Sequence, residues 1–319
     1  MRRDHGGGLD AAVQQHGGVR GDWLDLSTGI NPVPYPVAGL TPDDWTALPD
    51  SAAMADLITA ARAFWAVPEG AEVIAAPGAS ALIARMPGLL AGVVARGPVP
   101  VEVAGPTYNE HAAAFRAAGH KVREQEDSDA PVRVIVHPNN PDGRLWGPEA
   151  VGGRSLTVVD ESFCDVMPAQ SLVGCASAPG VVVLKSFGKF WGLAGLRLGF
   201  AIGPVGLTGR LAEMLGPWAV SGPAIRLGTA ALRDAAWAEA TRERLGRDAA
   251  RLDALMAGRG ARLVGGTALF RLYDVADAAD WQARLARGRV WSRVFPYSRT
   301  WLRLGLPAPG RWAQLEAVL

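Results

Sequence analysis

Cysteine is nearly absent: the chain of 319 residues holds two, Cys164 and Cys175, without the paired spacing that a metal site or a disulfide framework needs. That scarcity excludes a stapled extracellular scaffold and points to a reduced, cytoplasmic protein. An excess of charge of either sign is missing too. Lys and Arg number 32 against 31 Asp and Glu, a net charge of +1, so nothing electrostatic argues for nucleic acid, and any phosphate must be gripped locally. No apolar run approaches the roughly 20 residues that cross a bilayer, because Arg85, Arg96 and several prolines interrupt the best stretches. Residues 1–8 carry charge, His5 and glycines rather than the apolar core of a signal sequence, so no targeting segment and no membrane partner are expected. There is no internal repeat, and no low-complexity tract beyond an Ala/Arg bias and the run Gly6-Gly7-Gly8.

What is present is apolar mass. At 49% hydrophobic and 20% charged the chain can bury a large core, and its length fits about two domains. After Pro98, strand-like segments at 99–103, 132–137, 155–159 and 181–184 alternate with a helix near 108–119 and other connections. That order predicts an α/β domain with a largely parallel sheet, and the nearly all-apolar strands fit burial on both faces. A further strand is expected at 196–202. Pro223 opens a long helical stretch to about Met256, stopped by Gly258 and Gly260. Strands at 261–264, 268–273, 290–295 and 301–306, with helical turns near 277–286 and 311–318, then suggest a smaller α+β domain. Pro87 predicts a break in the helical segment after Ala79. The domain scheme is 1–44, an N-terminal segment packing with the small domain and the active site; 45–220, the large domain; and 221–319, an interdomain helix with the small domain.

The stretch Leu184-Lys185-Ser186-Phe187-Gly188-Lys189-Phe190-Trp191-Gly192-Leu193-Ala194-Gly195-Leu196-Arg197 carries the most chemistry. It places Lys189 in a glycine- and aromatic-rich loop after an apolar strand, where a desolvated amine can form a Schiff base. A lone loop lysine is ordinarily solvated. Here Ser186 lies three residues before it and Arg197 eight after, a hydroxyl and a guanidinium able to hold one phosphate near the amine. Upstream, Asp160-Glu161 ends an apolar strand, and an acidic pair there needs a cation opposite or a capping role. A protonated pyridine nitrogen is one such cation. Pro77-Gly78-Ala79-Ser80 leads a helical segment whose first amides can face an anion. Tyr108 opens another helix, where its ring can stack on a flat cofactor or serve as a core aromatic. His137-Pro138-Asn139-Asn140-Pro141-Asp142-Gly143 is a turn in which Asn140 matters only if its amide enters the site.

Taken in order, Gly78-Ala79-Ser80, Tyr108, Asn140-Pro141, Asp160, Ser186 to Lys189 to Arg197, and Leu302-Arg303-Leu304 make the chain resemble the fold-type I pyridoxal-phosphate enzymes of the class I/II aminotransferase group. That resemblance implies a large three-layer α/β/α domain with a smaller α+β domain, pyridoxal 5'-phosphate as cofactor, and a homodimer. It makes Lys189 the Schiff-base lysine and Asp160 the partner of the pyridine nitrogen. Asn140 would contact the ring 3-oxygen beside the substrate, and Tyr108 would stack on the ring. Gly78, Ala79, Ser80, Ser186 and Arg197 would hold the cofactor phosphate, and Arg303 the substrate α-carboxylate.

Within the group, Asp4-His5-Gly6-Gly7, Trp23-Leu24-Asp25-Leu26-Ser27-Thr28-Gly29-Ile30-Asn31-Pro32 and Pro106-Thr107-Tyr108-Asn109-Glu110-His111 are similar to the threonine-phosphate decarboxylase family of cobalamin biosynthesis. By that resemblance His5 and Gly6 lie over the substrate phosphate and Asn31 helps close the site, although a lone histidine near a chain start also fits a solvated tail. The implied reaction is decarboxylation of L-threonine O-3-phosphate to (R)-1-amino-2-propanol O-2-phosphate. A histidinol-phosphate-type aminotransferase is the enzymatic alternative, since the orientation of the bonds at Cα selects the reaction. A noncatalytic binding protein on the same fold is the other. Two positions depart from the group's pattern. Phe163 stands where many members carry a tyrosine three residues after the aspartate, and Leu48-Pro49-Asp50 where many have a tyrosine before Pro-Asp.

Overall fold

The computed structural model describes residues 5–91, 97–125 and 129–319. Arg96 and the first four residues, invoked above on sequence grounds, lie outside them. By packing, the chain divides into two compact units: Tyr35–Asn140 with Leu145–Ala238, and Met1–Pro34 with Pro141–Arg144 and Glu239–Leu319. The scheme with boundaries at 44 and 220 remains a proposal about folding segments rather than a description of this division.

The larger unit is built on seven strands: β1 (Glu72–Ala76), β2 (Pro100–Val103), β3 (Lys121–Arg123), β4 (Val132–Val136), β5 (Leu156–Asp160), β6 (Val181–Ser186) and β7 (Gly199–Gly203). Their order is β1-β7-β6-β5-β4-β2-β3. β2 through β6 pair in parallel, whereas β7 runs antiparallel to both of its neighbours. The largely parallel sheet expected from the alternating pattern is therefore present, with one reversed strand where 196–202 was expected to be extended. Residues of β5 and β6 are buried on both faces, which explains their apolar runs. One face packs Val101, Val103, Val132, Val134, Val158, Val182 and Leu184 against Leu82, Ile83, Phe115 and Leu211 of the covering helices. On the other, Lys185 and Phe200 meet Trp65, whose ring lies 5.0 Å from that of Phe200. Helices on both sides of a sheet form the three layers.

Helix starts follow local chemistry. Asp50 accepts the Ala53 amide at 3.0 Å to open Ser51–Phe64, and Ser221 accepts that of Ala224 to open Gly222–Arg233. Pro87 does end the helix after Ala79: Ala79–Ile83 gives way to a 3-10 segment, Met86–Leu90, with proline in its first turn. The long helix expected from Pro223 to Met256 is two helices, Gly222–Arg233 and Ala235–Ala257. Asp234 separates them by leaving helical geometry (φ −97°, ψ 73°), and its carboxylate caps the second through the Trp237 amide at 2.9 Å.

In the smaller unit, β8 (Arg262–Thr267), β9 (Phe270–Asp274), β10 (Arg293–Phe295) and β11 (Ser298–Gly305) form an antiparallel sheet in the order β10-β11-β9-β8. Helix Ala278–Arg287 starts on Asp277, which accepts two amides. Leu24–Asp25 pairs in parallel with Val290–Trp291 and ties the N-terminal segment into this unit. Helices Leu9–His16 and Ser51–Phe64 and strand β1 have no counterpart in the sequence reading.

Gly199 is where β7 must start without a side chain. A Cβ there would lie 2.5 Å from the Ala79 amide nitrogen and 2.8 Å from the Gly78 carbonyl carbon, so backbone must move to admit it. Gly199→Ala should therefore destabilise the protein by about 1–3 kcal/mol, read as a lower urea midpoint, with a larger loss of phosphate affinity than a surface Gly→Ala control shows.

Candidate active site

In open α/β sheets, ligands bind beyond the carboxyl ends of the strands. Here the ends of β1, β2, β4, β5 and β6 release Gly78, Tyr108, Asn140, Asp160 and Lys189, and reversed β7 brings its own start to the same edge. The pairing is direct: Gly199 lies opposite both Ala76 and Ser186. Two residues earlier, Arg197 takes a left-handed backbone (φ 55°) and donates from Nη1 to the Ala194 carbonyl at 3.1 Å. Its guanidinium lies against Gly78, where a Cβ would sit 2.6 Å from Nη2. Gly78 is thus required both for its φ of 86° and for that approach. Ala79 and Ser80 begin the helix beside this cation, with Ser186 Oγ nearby in sequence and held to the Gly188 amide at 3.3 Å. The helix has only five residues, so the guanidinium and the first-turn amides, rather than a macrodipole, make this end suited to a phosphate.

At the other end, Asp160 is 2% exposed. Its Oδ2 meets His111 Nε2 at 2.8 Å, and its Oδ1 accepts the Ser162 amide at 3.0 Å and the Ser162 hydroxyl at 2.5 Å. The capping role is present through Oδ1, and Oδ2 is hydrogen-bonded to the His111 imidazole. Burial alone would raise this carboxyl, but the His111 hydrogen bond and charge, with the two Ser162 bonds, outweigh it and hold Asp160 below the usual carboxylate range. The Tyr108 ring stands edge-on to His111 with centroids 6.1 Å apart. His111 is a site residue that sequence reasoning missed; the available signal was a histidine one helical turn after Tyr108. Asn140 is half-buried. Its neighbour Asn139, also missed, braces the two loops by accepting from Thr107 Oγ1 at 2.6 Å and donating to the Pro106 carbonyl at 3.0 Å. Lys189 Nζ lies 5.1 Å from the ring centre of buried Phe163, so the amine faces an aromatic ring that carries no hydroxyl.

Of the expected substrate residues, Asn140 belongs to the larger unit and His5, Gly6, Asn31 and Arg303 to the smaller. Arg303 is 5% exposed and donates to the Ser27 carbonyl at 2.6 Å. Gly7 donates to Ser27 Oγ at 2.7 Å, and a Cβ on Gly6 would lie 3.5 Å from the Arg303 guanidinium, so the glycine run sits beside that arginine. Exposed His5 precedes it. Asn31 is buried with its side-chain oxygen engaged by the Val33 amide at 3.0 Å and by Arg244 at 2.6 Å. The sheet supplies one more candidate: Arg293 of β10 is in register with Arg303 of β11. Burial, followed by the charge of Arg293, pushes Arg303 down to about 10, against weaker opposing effects of Tyr297 and Asp25. Two cations facing each other across a ladder repel, and the arrangement suits a ligand with two acidic groups.

Among the described residues, His137, Glu161 and Cys164 have potential metal-ligand atoms within 4.8 Å of one another. His137 and Glu161 are engaged with protein groups. His137 Nδ1 accepts the Trp146 amide at 3.1 Å and Nε2 donates to the Gln170 carbonyl at 2.7 Å. Glu161 meets Lys185 Nζ at 2.5 Å and Ser171 Oγ at 2.7 Å, and burial pushes the Cys164 thiol well up. What the larger unit does fit is a flat, phosphorylated, cationic-ring aldehyde: a phosphate cradle, a ring aromatic, a buried anion and an amine at one sheet edge.

The profile of the family described as aminotransferase class I and II matches residues 40–319. The chain belongs to this family. A threonine-phosphate decarboxylase of Sinorhizobium sp is 40% identical, covering 95% of this chain and 92% of that protein. One from Pseudomonas aeruginosa is 41% identical, covering 99% and 97%. A histidinol-phosphate aminotransferase of Mycobacterium tuberculosis is 35% identical over 57% of this chain and 55% of its own length. Among solved structures, the histidinol-phosphate aminotransferase of Sinorhizobium meliloti in complex with pyridoxal-5'-phosphate superposes with a TM-score of 0.83 at 19% identity, covering 98% of this chain and 93% of that one. The L-threonine-O-3-phosphate decarboxylase of Porphyromonas gingivalis gives 0.72 at 19%, covering 92% and 97%. These last two bear on the fold, which is that of the fold-type I enzymes.

Asp160 supplies a pH test. Its folded pKa is depressed, so its contribution to stability is complete above the ordinary carboxyl value of about 3.9 and is lost as pH falls through the lower folded value. The urea-midpoint gap between wild type and Asp160→Asn should be widest at neutral pH and narrow on acidification below about pH 4; a gap that grows there would refute the ionised assignment.

Proposed function

We propose that this chain is a pyridoxal-phosphate-dependent carboxy-lyase that converts L-threonine O-3-phosphate to (R)-1-amino-2-propanol O-2-phosphate for cobalamin biosynthesis. The near full-length identity to two threonine-phosphate decarboxylases supports the reaction. The observation within the structure that carries the substrate class is Arg293 in register with Arg303, since threonine phosphate presents both a carboxylate and a phosphate. The sequence match to the Mycobacterium tuberculosis histidinol-phosphate aminotransferase spans 57% of the chain, against 95% and 99% for the two decarboxylases, and a noncatalytic role leaves Lys189, Asp160 and Arg197 together without a use.

When bound, the cofactor supplies an electron sink for the pair released as a bond to Cα breaks. Gly78, Ala79, Ser80, Ser186 and Arg197 would bind its phosphate. Tyr108 would cover its ring face, Asn140 would donate to its 3-oxygen beside the substrate, and Asp160, kept anionic by His111, would hold a proton at the pyridine nitrogen. Lys189 Nζ would hold the cofactor. Arg303 would grip the α-carboxylate and Arg293 the phosphate, with His5 and Gly6 over the latter and Asn31 aiding closure. In its protonated form the Lys189 amine would deliver a proton to Cα in place of the lost carboxylate. Phe163 offers no hydroxyl for the ring oxygen, so Asn140 acts there without a phenol.

Among the described residues, no helix is long and apolar enough to cross a membrane. We assign the protein to the cytoplasm as a homodimer. Exposed Val37, Trp45, Leu48 and Trp218 give the larger unit apolar surface for a second copy, with Leu48 in place of the usual intersubunit tyrosine. A fully active monomer by light scattering at assay concentration would refute the dimer.

The deciding experiment incubates the protein and pyridoxal phosphate with L-threonine O-3-phosphate, and in parallel with histidinol phosphate and 2-oxoglutarate. CO2 and aminopropanol phosphate are expected from the first; glutamate from the second without CO2 from the first would make the chain an aminotransferase. Lys189→Ala should abolish both turnover and the borohydride-fixed attachment of cofactor to the chain. Arg293→Ala should lower kcat/KM for threonine phosphate by about 10- to 100-fold, the worth of a charged hydrogen bond, while changing the slow reaction of unphosphorylated L-threonine little.

A further inference from the structure

Behind the sheet edge lies a buried charge cluster that the chemistry above does not use. Lys185 is enclosed on the face of β6 opposite Leu184, with Nζ 2.5 Å from Glu161 Oε2 and 3.5 Å from Asp165 Oδ1. Burial would lower its pKa, but the two carboxylates overrule that and keep the ammonium protonated. Asp165 spends its oxygens on two indoles: Trp65 Nε1 donates to Oδ1 at 2.9 Å and Trp191 Nε1 to Oδ2 at 3.2 Å. Trp191 has no exposed surface and follows Lys189 by two residues. Its ring is stacked between Phe187 and Trp237, with centroids 5.1 and 5.4 Å away and interplanar angles of 12° and 13°. Its carbonyl accepts the Tyr35 amide at 2.9 Å, and the Gly192 amide after it donates back to the Lys189 carbonyl at 3.1 Å, closing the turn.

These bonds link the two elements whose spacing the chemistry depends on. Glu161 directly follows Asp160 with Asp165 in the next turn of chain, Lys185 precedes Ser186, and Trp191 belongs to the turn of Lys189. We propose that Trp191 is a positioning residue for Lys189: its indole N–H bond to Asp165 and its place in the Phe187–Trp237 stack fix the amine relative to Asp160. This rests on the reading of Lys189 as the cofactor lysine. A stack alone leaves a ring free to slide in its plane, whereas the directed N–H bond to an ion-paired carboxylate removes that freedom. Trp65 provides the comparison, since it bonds to the same carboxylate but lies outside the Lys189 turn.

The test compares Trp191→Phe with Trp65→Phe, each of which deletes one indole N–H bond to Asp165. In cofactor-free protein, the acylation rate of Lys189 by an amine-selective reagent is followed by peptide mass spectrometry. In loaded protein, visible circular dichroism and the kcat and KM for threonine phosphate are measured. Both variants should lose thermal stability. Only Trp191→Phe should change Lys189 acylation, by about threefold or more, diminish the visible signal and lower kcat about 10-fold with KM nearly unchanged. Should Trp191→Phe not fold, Asp165→Asn, which leaves one good acceptor for two indoles, should reproduce the acylation change. Wild-type acylation and dichroism in Trp191→Phe, or in Asp165→Asn where that stands in for it, would overturn the proposal, as would equal changes in Trp65→Phe. The acylation readout needs no cofactor, so inactivity of the wild-type chain on threonine phosphate would overturn the function and leave this test standing.

Discussion

An ionised carboxylate almost fully removed from water is stable only with a charged or strongly donating partner. Asp160 meets that condition through His111 and Ser162, and the surrounding architecture serves the condition. The helix that carries His111 begins at Tyr108, so the edge-on aromatic ring and the residue bonded to the anion are one turn apart on a single element. The strand that ends in Asp160 lies in register with Leu184 on β6, which fixes the distance from the acidic end to the turn of Lys189. Of the effects that offset the burial of this carboxyl, those of His111 are the largest, ahead of the Ser162 bonds.

The reversed strand β7 solves a second problem. A phosphate cradle needs a cation at the carboxyl edge of the sheet, and an additional parallel strand would deliver its start to the opposite edge. Running β7 antiparallel brings Arg197 and Gly199 back beside Gly78 and Ser186. The cost is close approach, by the Arg197 guanidinium at position 78, where φ is also positive, and by backbone at position 199, which glycine admits. Beneath this edge, the buried Lys185, Glu161 and Asp165 form a second charged layer in which Asp165 accepts from two tryptophans. Such a layer adds little net stability over an apolar core, but it is directional, and direction is what a reactive amine needs.

The departures at Phe163 and Leu48 acquire different meanings in the fold. Phe163 is buried against Lys189, so the missing phenol changes the surroundings of the amine itself. Leu48 is exposed beside the Asp50 cap of helix Ser51–Phe64, so the missing tyrosine changes a surface and leaves the helix start intact.

The sequence by itself determined the α/β alternation, the break at Pro87, the turns at Gly78 and Asn140, and the grouping of Ser186, Lys189 and Arg197 within one short stretch. These features are local: side-chain branching, glycine and proline geometry and spacing of a dozen residues or fewer set them, so they can be read without knowing what lies opposite. Tertiary structure decided the partners. That His111 would serve Asp160, that Lys185 would serve Glu161 and Asp165, that Arg293 would face Arg303, and that Asn139 rather than Asn140 would brace the loops depend on strand register and helix docking. The break at Asp234 was hidden for a similar reason, because an Ala- and Arg-rich run favours helix on either side of it and only the observed backbone turn and cap reveal the stop. A two-residue strand period states which face a residue occupies but not its neighbour on the next strand, and that neighbour sets the charge, the reach and the chemistry of each group.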